Sequence, residues 1–391
     1  MRILIAEDER ITRRTLQRQL ERWGHDVVAA EDGAEAWEQF QKHPCDIVVT
    51  DWDMPRVDGR ELVERIRGSG ASGYVYLIML TGRAEKADLV TGMEAGADDF
   101  LAKPFDQNEL RVRVDAGERI IRLERNLATQ NLRMKRSLDA AADVQRSLLP
   151  KDLPEALGAS FAWHYEPCDE LGGDILNVLP LDDRHIALYL LDVTGHGVPA
   201  ALLSVTLSRV LTTRGPGSSL LVDSVNNHVG PVIRAPREVI GQLNDQFPMA
   251  SQGNRFFTMV YGVMDTETGV IDYALAGQPP PVLLRRGRPA EQLDGAGFPV
   301  GVVDDADFEE YSLHLEPGDR VFFYSDGITE ARNQQGSMLG SEGLVRLIDA
   351  CRDRTLDECV AQCLQGLRSW SEPVPFDDDI SLLAAEIRVG V

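Results

Sequence analysis

Acidic side chains stand directly after apolar runs at several points in the first third of this 391-residue chain. Glu7 and Asp8 follow ILIA, Asp51 follows IVVT, and Thr81 and Lys103 come just after two further runs. Clustered carboxylates repel one another unless a hard divalent cation lies between them, and Mg²⁺ prefers such oxygen ligands. Solvated turn acids would explain any one of these residues but not the set. Lysine is rare here, with five residues among the forty of Lys plus Arg, so a lysine beside carboxylates suggests a chemical role.

The pattern around these residues predicts that they can meet. Apolar runs typical of strands occur at Ile3–Ala6, Val27–Ala30, Ile47–Thr50, Tyr74–Leu80 and Phe100–Ala102. Helical patterns lie between them near Ile11–Trp23, Ala34–Gln41, Arg60–Arg67 and Lys86–Ala95. Five β/α repeats predict an α/β domain with a doubly wound, flavodoxin-like parallel sheet, whose strands have carboxyl ends that converge in one crevice.

A second set of carboxylates lies beyond residue 150, again at the ends of predicted strands. Asp192 lies in LLDVTGHG, Asp326 in FFYSDG and Asp174 in GGDIL, and Asp377–Asp379 precede ISLLAAEI. Carboxylates so far apart in the chain can meet only around bound cations, and all-oxygen ligands favour Mg²⁺ or Mn²⁺ over zinc. Two such ions would activate a water for in-line attack on a phosphate. No HCx₅R nucleophile motif occurs, which excludes a cysteine phosphatase.

The second half of the chain mixes strand and helix patterns without regular alternation. Runs rich in β-forming residues occur at Ile186–Leu191, Phe256–Val263, Ile271–Leu275, Val321–Tyr324 and Ser381–Ala385. Helical patterns lie near Pro199–Leu211, Arg237–Phe247, Glu342–Cys351 and Leu356–Leu367. This mixture predicts an α+β domain with mostly antiparallel strands. Residues 212–235, rich in Gly, Ser, Pro and Asn, predict a long surface loop.

Residues 107–149, between the two halves, contain no proline and a single glycine, which predicts a long helix. Apolar residues recur there every seven positions, at Ile120, Leu127, Met134, Ala141 and Leu148. Such a repeat is typical of one edge of a coiled-coil seam, although polar residues share the companion positions. A coiled coil that joins two copies and an ordinary amphipathic linker helix both fit this pattern.

Charge and composition exclude several classes of protein. The formal net charge of −23 repels phosphate backbones and anionic head groups, so we expect neither nucleic-acid nor membrane binding. The longest wholly apolar run, Tyr74–Leu80, is far shorter than the roughly 20 residues of a membrane span, and no signal peptide is expected. Five cysteines without a CxxC pair fit a cytoplasmic protein better than a disulfide framework, and Cys359 and Cys363 fit small core positions.

Residues 1–120 resemble the receiver domain of bacterial two-component response regulators. The resemblance rests on the acidic pair in ILIAED, on DIVVTDWDMPRVDG, on LTG and on LAKPF, in that order. It implies that Asp51 is the phosphoacceptor. It also implies that Glu7, Asp8, Asp51 and the backbone carbonyl of Asp53 hold one Mg²⁺.

The same resemblance assigns roles to the remaining receiver residues. Thr81 and Lys103 would bind the phosphoryl oxygens, and Phe100 would be the switch aromatic. The Lys103–Pro104 peptide would be cis. A receiver domain further implies an upstream partner, a sensor histidine kinase that supplies the phosphoryl group.

About residues 145–390, which include the predicted domain at 151–391 and the end of the predicted linker at 107–150, resemble the metal-dependent PP2C-like serine/threonine phosphatases of the stage-II-sporulation and stress-response branch. The resemblance implies a sandwich of mostly antiparallel sheets flanked by helices. The similarity begins at VQRSLLP and continues through GGD, DVTGHG, AGQPPPVLL and PGDRVFFYSDGITEARN to DDDIS. It implies two Mn²⁺ or Mg²⁺ ions bridged by Asp192, with the Val193 carbonyl, Asp326 and Asp378 completing their ligands. Asp174 would be a further ligand, direct or through water.

Three residues stand apart within this second resemblance. Gln278 occupies AGQPPP where the family commonly has His, which removes a histidine contact or proton donor at that position. His196 in TGHG is a further candidate, for which a catalytic role and a role in fixing the turn are equally supported. Asp379 is a further candidate ligand, because the alignment within the aspartate triplet can slip by one residue. GGDIL differs from the GGDEF of diguanylate cyclases, so that activity is not expected.

The two resemblances together predict a response regulator whose output is an enzyme. Phosphorylation of Asp51 would control a phosphatase that dephosphorylates a STAS-type anti-sigma-factor antagonist. The alternative is a non-enzymatic adaptor that binds a sigma factor or an anti-sigma factor through the same fold, and the retained aspartates argue against it. A DNA-binding output is opposed by the acidic charge and by the lack of a terminal basic helix-turn-helix pattern.

Overall fold

The structure of the chain is a computed structural model that describes residues 1–70, 73–82, 93–151, 153, 158–212, 220–223 and 232–388. The chain divides into two compact units, Met1–Arg136 and Ser137–Val391. This division falls inside the helix predicted between the two halves, and the boundaries 1–120, 107–150 and 151–391 stay predictions. None of the described helices is both long and apolar enough to cross a bilayer.

The first unit is built on a five-stranded parallel sheet in the order β2-β1-β3-β4-β5. Its strands are β1 Arg2–Ala6, β2 Asp26–Ala30, β3 Ile47–Asp51, β4 Tyr76–Thr81 and β5 Asp99–Ala102. Its helices are α1 Arg10–Arg22, α2 Gly33–Lys42, α3 Gly59–Gly68 and the first part of α4, Gln107–Arg146. The predicted doubly wound sheet is confirmed, while most of the helix predicted at Lys86–Ala95 lies outside the described residues.

Alternation of side chains along β1 explains why both faces of this sheet are covered. Ile3 and Ile5 pack into one apolar core and Leu4 and Ala6 into another, and all four are fully buried. Successive residues of a strand point to opposite faces, so a continuous apolar run is what a sheet between two helical layers requires. The polar residues that follow each run are thereby left at the carboxyl edge.

The second unit contains two five-stranded antiparallel sheets, in the orders β15-β12-β11-β8-β7 and β14-β13-β16-β17-β6. The first comprises β7 Ile175–Pro180, β8 His185–Val193, β11 Phe257–Asp265, β12 Val270–Ala276 and β15 Glu310–His314. The second comprises β6 Ala159–Glu166, β13 Val282–Leu284, β14 Glu291–Gln292, β16 Arg320–Tyr324 and β17 Ile380–Ile387. The predicted antiparallel α+β architecture is confirmed.

Helices flank these sheets. They are α5 Val198–Val210, α6 Pro236–Gln246, α7 Asp326–Glu330, α8 Gly340–Asp349 and α9 Leu356–Ser371, with a short 3₁₀ turn at Met249–Ser251. A capping box starts α9, because Thr355 accepts from the Glu358 backbone N–H and the Glu358 side chain accepts from that of Thr355. The loop predicted over 212–235 contains a small antiparallel pair, β9 Val222–Asp223 and β10 Val232–Ile233. Its residues 213–219 and 224–231 lie outside the described residues.

The helix α4 runs without interruption over 40 residues, about 60 Å at 1.5 Å per residue. Within the first unit, Ile121 is buried and Ile120 half-buried against the sheet's core. Leu127 and Met134, the next members of the seven-residue series, are 53% and 64% exposed. The middle of the predicted seam is thus exposed, as an unpaired coiled-coil edge would be.

Three of the five cysteines gather in the core between α8, α9 and the second sheet. Cys359 and Cys363 are buried, as expected of small core residues. Cys359 forms a disulfide bond with Cys351, however, and the Cys363 Sγ atom lies 3.8 Å from that of Cys351. The expectation of no disulfide is therefore wrong for this pair. The turn between α8 and α9 places Cys351 against α9, and the spacing of the cysteines in the sequence does not reveal this contact.

Candidate functional site

The receiver carboxylates and Lys103 meet at the carboxyl edge of the parallel sheet. The Lys103 Nζ atom lies 2.8 Å from Glu7 Oε2 and 2.9 Å from Asp51 Oδ2. Glu7, Asp8 and Asp51 each place one carboxylate oxygen within 4.8 Å of the others. Glu7 and Asp51 are buried and Asp8 is exposed, so the group opens toward solvent on one side.

Lys103 offsets the repulsion between these carboxylates. Burial raises the pKa of Glu7 and of Asp51, and the hydrogen bonds and charge of Lys103 oppose that rise. Burial by itself would lower the pKa of Lys103, but its hydrogen bonds with Glu7 and Asp51 outweigh burial, so the pKa is raised. The lysine is therefore held protonated between two acids, where it can also meet the oxygens of a phosphoryl group.

The other predicted receiver residues lie at the same edge of the sheet. Thr81 is the buried last residue of β4, and Asp53 lies exposed two residues after β3. Phe100 is half-buried on β5, with its ring centroid 6.4 Å from that of Trp52. The Trp52 backbone N–H donates to Asp51 Oδ1 at 2.9 Å, which fixes the orientation of the Asp51 carboxylate.

The peptide between Lys103 and Pro104 is cis, as the resemblance implied. The Lys103 backbone N–H donates to the carbonyl of Thr81 at 2.7 Å. This bond ties the residue after β5 to the end of β4, and so positions the lysine that reaches Glu7 and Asp51.

Elements of both antiparallel sheets carry the second set of aspartates. Asp192 lies at the end of β8 in one sheet, and Asp378 and Asp379 precede β17 in the other. Asp326 is the first residue of α7, and Asp174 directly precedes β7. Burial raises the pKa of Asp192 to about 7, and the negative charges of Asp326 and Asp378 add to that rise.

Asp174 is the most deeply buried member of this group. The residue is 1% exposed, and neither carboxylate oxygen makes a hydrogen bond of normal geometry among the described residues, although the nearby Ser325 and Ser381 hydroxyls lower its pKa. Burial raises its pKa well above the ordinary value, and the charges of Asp192 and Asp379 add to the effect. A buried carboxylate without a partner is costly, and a bound cation removes that cost. The residues present therefore fit a divalent metal site.

The same conclusion follows from the charges around the other aspartates. Burial raises the pKa of both Asp326 and Asp378, and neighbouring acids raise each further. The largest effects of charged groups on these pKa values come from other acids, with one opposing effect of His196 on Asp378. No lysine occurs after residue 151. The protein itself supplies little positive charge to this cluster.

Asp379 differs from the other aspartates in its partners. Its Oδ1 atom accepts from the Cys168 backbone N–H at 2.9 Å and its Oδ2 atom from that of Asp174 at 3.1 Å. The residue is 3% exposed. Because both oxygens already accept backbone hydrogen bonds, Asp379 suits holding the Asp174 turn, whereas Asp378 is exposed at the edge of the cluster.

The GGD turn before β7 needs both glycines for a steric reason. A Cβ atom at Gly172 would lie 2.3 Å from Asp379 Oδ2, and one at Gly173 would lie 2.6 Å from the Val193 carbonyl oxygen. Only glycine allows such close approaches. The turn thus brings Asp174 next to the backbone carbonyl that the resemblance assigned as a ligand.

Gln145 is a contact to this turn that sequence reasoning missed. Its Nε2 atom donates to the Gly172 carbonyl at 2.7 Å and lies 3.2 Å from Ser204 Oγ, and the side chain is 3% exposed. Gln145 lies in the last part of α4, where Ala142 also packs against Leu171. The signal was present in the VQRSLLP motif, but its hydrogen-bond partner depends on tertiary structure.

His196 lies in the exposed turn after β8. Its Nδ1 atom lies 3.2 Å from Asp169 Oδ2, and its side chain is 70% exposed. Its charge lowers the pKa of Asp378, against the larger effect of burial, so it lies near the cluster. The pairing with Asp169 orients the imidazole without burying it.

The fold and these two sites define a class of protein, a receiver domain joined to a PP2C-type phosphatase domain. A family model described as Response regulator receiver domain matches residues 3–115, and one described as Stage II sporulation protein E (SpoIIE) matches residues 182–388. The second match covers more than half of the chain. The chain therefore belongs to the SpoIIE family and carries a receiver domain, which confirms both resemblances.

Individual relatives agree with this assignment. A chemotaxis protein CheY homolog of Campylobacter jejuni is 34% identical over 117 residues, which are 29% of this chain and 90% of the relative. Response regulator MprA of Mycobacterium ulcerans is 38% identical over 134 residues, 34% of this chain but only 57% of that protein. The SiaA-PP2C domain of Pseudomonas aeruginosa matches 67% of this chain and 99% of its own, with a TM-score of 0.54 and 20% identity. This last likeness shows the PP2C fold.

Proposed function

We propose that this chain is a response regulator whose output is a metal-dependent serine/threonine phosphoprotein phosphatase. The observation that carries the proposal is Asp174, a fully buried carboxylate whose pKa burial and the charges of Asp192 and Asp379 raise well above its ordinary value. The pKa of Asp192 itself is raised to about 7 by burial and neighbouring acids. Such a cluster is the environment in which divalent cations are held by oxygen ligands. Mn²⁺ or Mg²⁺ fits this donor set, as it does in the families to which the two domains belong.

The residues have distinct roles in the proposed hydrolysis. Asp192 would bridge two ions, with Asp174, Asp326, Asp378 and the Val193 carbonyl as the other ligands. When bound, the ions supply a water that is nucleophilic at neutral pH and positive charge for the phosphoryl oxygens.

His196 would provide the proton for the second half of the reaction. Its imidazole, oriented by Asp169, would donate that proton to the serine or threonine oxygen that leaves. Asp379, with both oxygens engaged by backbone N–H groups, would hold the Asp174 turn in place.

The proposed substrate is a phosphorylated STAS-type anti-sigma-factor antagonist, and the proposed regulator is a sensor histidine kinase that phosphorylates Asp51. Family membership in SpoIIE supports the substrate class. The clustering of Glu7, Asp8 and Lys103 around Asp51 supports Mg²⁺ binding and phosphoryl transfer there. Incubation with acetyl phosphate and Mg²⁺ should add one base-labile phosphoryl group to the wild-type chain and none to Asp51→Asn.

Release of inorganic phosphate from a phosphorylated STAS protein tests the enzymatic part of the proposal. The full chain should release phosphate with Mn²⁺ and stop in EDTA, with recovery when Mn²⁺ is restored. Hydrolysis that persists in EDTA would contradict the metal mechanism. A wild-type chain that hydrolyses no phosphorylated STAS protein but binds a sigma factor tightly would instead establish the adaptor function.

Control of the phosphatase is proposed to pass through α4 in a homodimer. Leu127 and Met134 belong to one seven-residue series and are exposed, as the contact residues of a coiled coil are in a single unpaired helix. Gln145, in the same helix, contacts the turn that carries Asp174. A change in pairing or register of α4 would therefore reach the metal site through a continuous element.

A double variant, Leu127→Asp with Met134→Asp, tests this route. It should lower the mass measured by light scattering to that of one chain and abolish the dependence of phosphate release on Asp51 phosphorylation. Leu132→Asp is the matched control, since Leu132 is 52% exposed on α4 but lies outside the seven-residue series. A double variant with unchanged mass and full regulation would rule out the linker route.

A further inference from the structure

Gln278 is a buried polar side chain close to the aspartate cluster. It is 4% exposed, and its Nε2 atom donates to Thr258 Oγ1 at 2.8 Å. Its Oε1 atom is buried without a hydrogen-bond partner among the described residues. A buried amide whose oxygen has no hydrogen-bond partner costs folding free energy, so the orientation of this side chain calls for an explanation.

Thr258 connects this amide to Asp192. In the antiparallel pairing of β8 with β11, Thr258 lies directly opposite Asp192. Directly opposed residues of two antiparallel strands place their side chains on the same face, with Cβ atoms roughly 4.5–5.5 Å apart. The side chains of Thr258 and Asp192 thus leave the sheet on the same face, the face that carries the proposed metal ligand Asp192.

The direction of the hydrogen bond from Gln278 determines whether the Thr258 hydroxyl can donate to another group. A hydroxyl has one hydrogen to donate and lone pairs that accept. Since Thr258 Oγ1 accepts from Gln278, its own hydrogen is left for another acceptor, and the Asp192 carboxylate is on the same face. We propose that Gln278 is a positioning residue that orients the Thr258 hydroxyl toward Asp192 and thereby holds that carboxylate in the orientation that binds metal.

The backbone around Gln278 keeps the amide in place. Gly277 has φ +77°, and a Cβ atom there would lie 2.9 Å from both Pro299 Cγ and Thr258 Cγ2. The Gly277 backbone N–H donates to the Gly297 carbonyl at 3.0 Å. The loop is therefore pressed against Thr258 and leaves the Gln278 side chain little freedom to turn away.

This inference rests on the proposed function, and Mn²⁺ affinity tests it without substrate. Calorimetric titrations would use the full chain with Asp8→Asn in every sample, so that the receiver site contributes less binding. Gln278→Met keeps the size and removes the donor, and should weaken Mn²⁺ binding about tenfold, as loss of a residue behind a metal ligand typically does. Gln278→His keeps an N–H donor and should stay within about threefold of the parent.

A double-mutant cycle separates this role from simple destabilisation. Thr258→Val should weaken Mn²⁺ binding as much as Gln278→Met, and the two together no more than either, because both break one chain of contacts. Asn244→Leu is the matched control. Asn244 is a buried amide that donates to the Val303 carbonyl and accepts from the Gly301 N–H. Its loss should lower the unfolding temperature and leave Mn²⁺ affinity unchanged.

The outcomes distinguish the two proposals. Parent-like Mn²⁺ affinity in Gln278→Met, or fully additive losses in the double variant, would overturn the positioning role while leaving the phosphatase proposal intact. A parent chain that binds no Mn²⁺ at this site would overturn both. Recovery of phosphate release by Gln278→Met at saturating Mn²⁺ would support the role, since the lost contact acts on metal binding.

Discussion

The two carboxylate clusters of this chain differ in where their positive charge comes from. In the receiver site, Lys103 lies within 2.9 Å of both Glu7 and Asp51. In the phosphatase site, the largest charge effects on Asp192 come from other acids. The receiver cluster is therefore partly neutralised by the chain itself, whereas the phosphatase cluster is proposed to depend on cations from solution. Under the proposed function, similar acids at strand ends would serve a switch in one domain and a metal-dependent centre in the other.

The difference also appears in the titration of the two sites. The pKa values of Asp51 and Asp192 are both raised by burial, but Lys103 opposes the rise for Asp51 and neighbouring acids increase it for Asp192, to about 7. A proton and a metal ion compete for the same carboxylate oxygens. Metal binding in the phosphatase domain should therefore depend on pH close to neutrality.

The largest effect should come from removing Asp192, the proposed bridging acid of the phosphatase cluster. Asp192→Ala takes away the carboxylate shared by the two proposed ions, so phosphate release from a phosphorylated STAS protein should fall by a factor of about 10³ or more. Asp183→Ala is the control, because Asp183 is exposed just before the same strand. Activity within tenfold of wild type in Asp192→Ala would show that this aspartate cluster is not the catalytic centre.

A smaller effect should follow when the positive charge of Lys103 is removed from the receiver site. Lys103→Met leaves Glu7 and Asp51 without a positive partner, which should raise Mg²⁺ affinity about tenfold and slow phosphorylation by acetyl phosphate by at least as much. Fluorescence titration of Trp52, next to Asp51, can follow Mg²⁺ binding. Lys42→Met, at an exposed lysine paired with Glu38, should change neither quantity. An unchanged Mg²⁺ affinity in Lys103→Met would show that the lysine does not offset the carboxylates.

The smallest effect is a dependence of stability on pH in metal-free protein. The folded-state pKa of Asp192 is about 7, while an unfolded aspartate titrates near 3.9, so the unfolded state binds fewer protons between these values. Stability contributed by protonated Asp192 is therefore present below about pH 4 and lost as the pH rises through 7. In EDTA, the unfolding temperature of wild type relative to Asp192→Asn should fall by about 2–4 °C or more from pH 5 to 8.

Two control measurements test whether this pH dependence arises at Asp192. Excess Mn²⁺ should abolish the fall, because a bound cation replaces the proton as the partner of the carboxylate. Asp51→Asn should change the same temperature difference far less, since Lys103 already faces Asp51. A flat difference between wild type and Asp192→Asn in EDTA would mean that Asp192 is not held among uncompensated acids.

Much of the fold could be predicted because its signals are local. The apolar runs before Asp51 and Asp192 mark strands, and both fold classes were confirmed. The strands β6 and β7 were missed, since Ala159–Glu166 and Ile175–Pro180 mix buried and half-buried positions without a clear period. The disulfide between Cys351 and Cys359 was missed because it depends on how a turn returns to a helix.

The sequence by itself determined which residue types end each strand, and these residues include the acids of both sites. It could do so because strand periodicity and glycine turns depend only on residues that are neighbours in the chain. Only the tertiary structure decided their partners. Lys103 meets Glu7 across 96 positions, and Asp379 accepts from Asp174 across 205. Gln145 reaches Gly172 and Gln278 reaches Thr258 in the same way. Such contacts join segments distant in the chain, so their hydrogen bonds exist only once the sheets have packed.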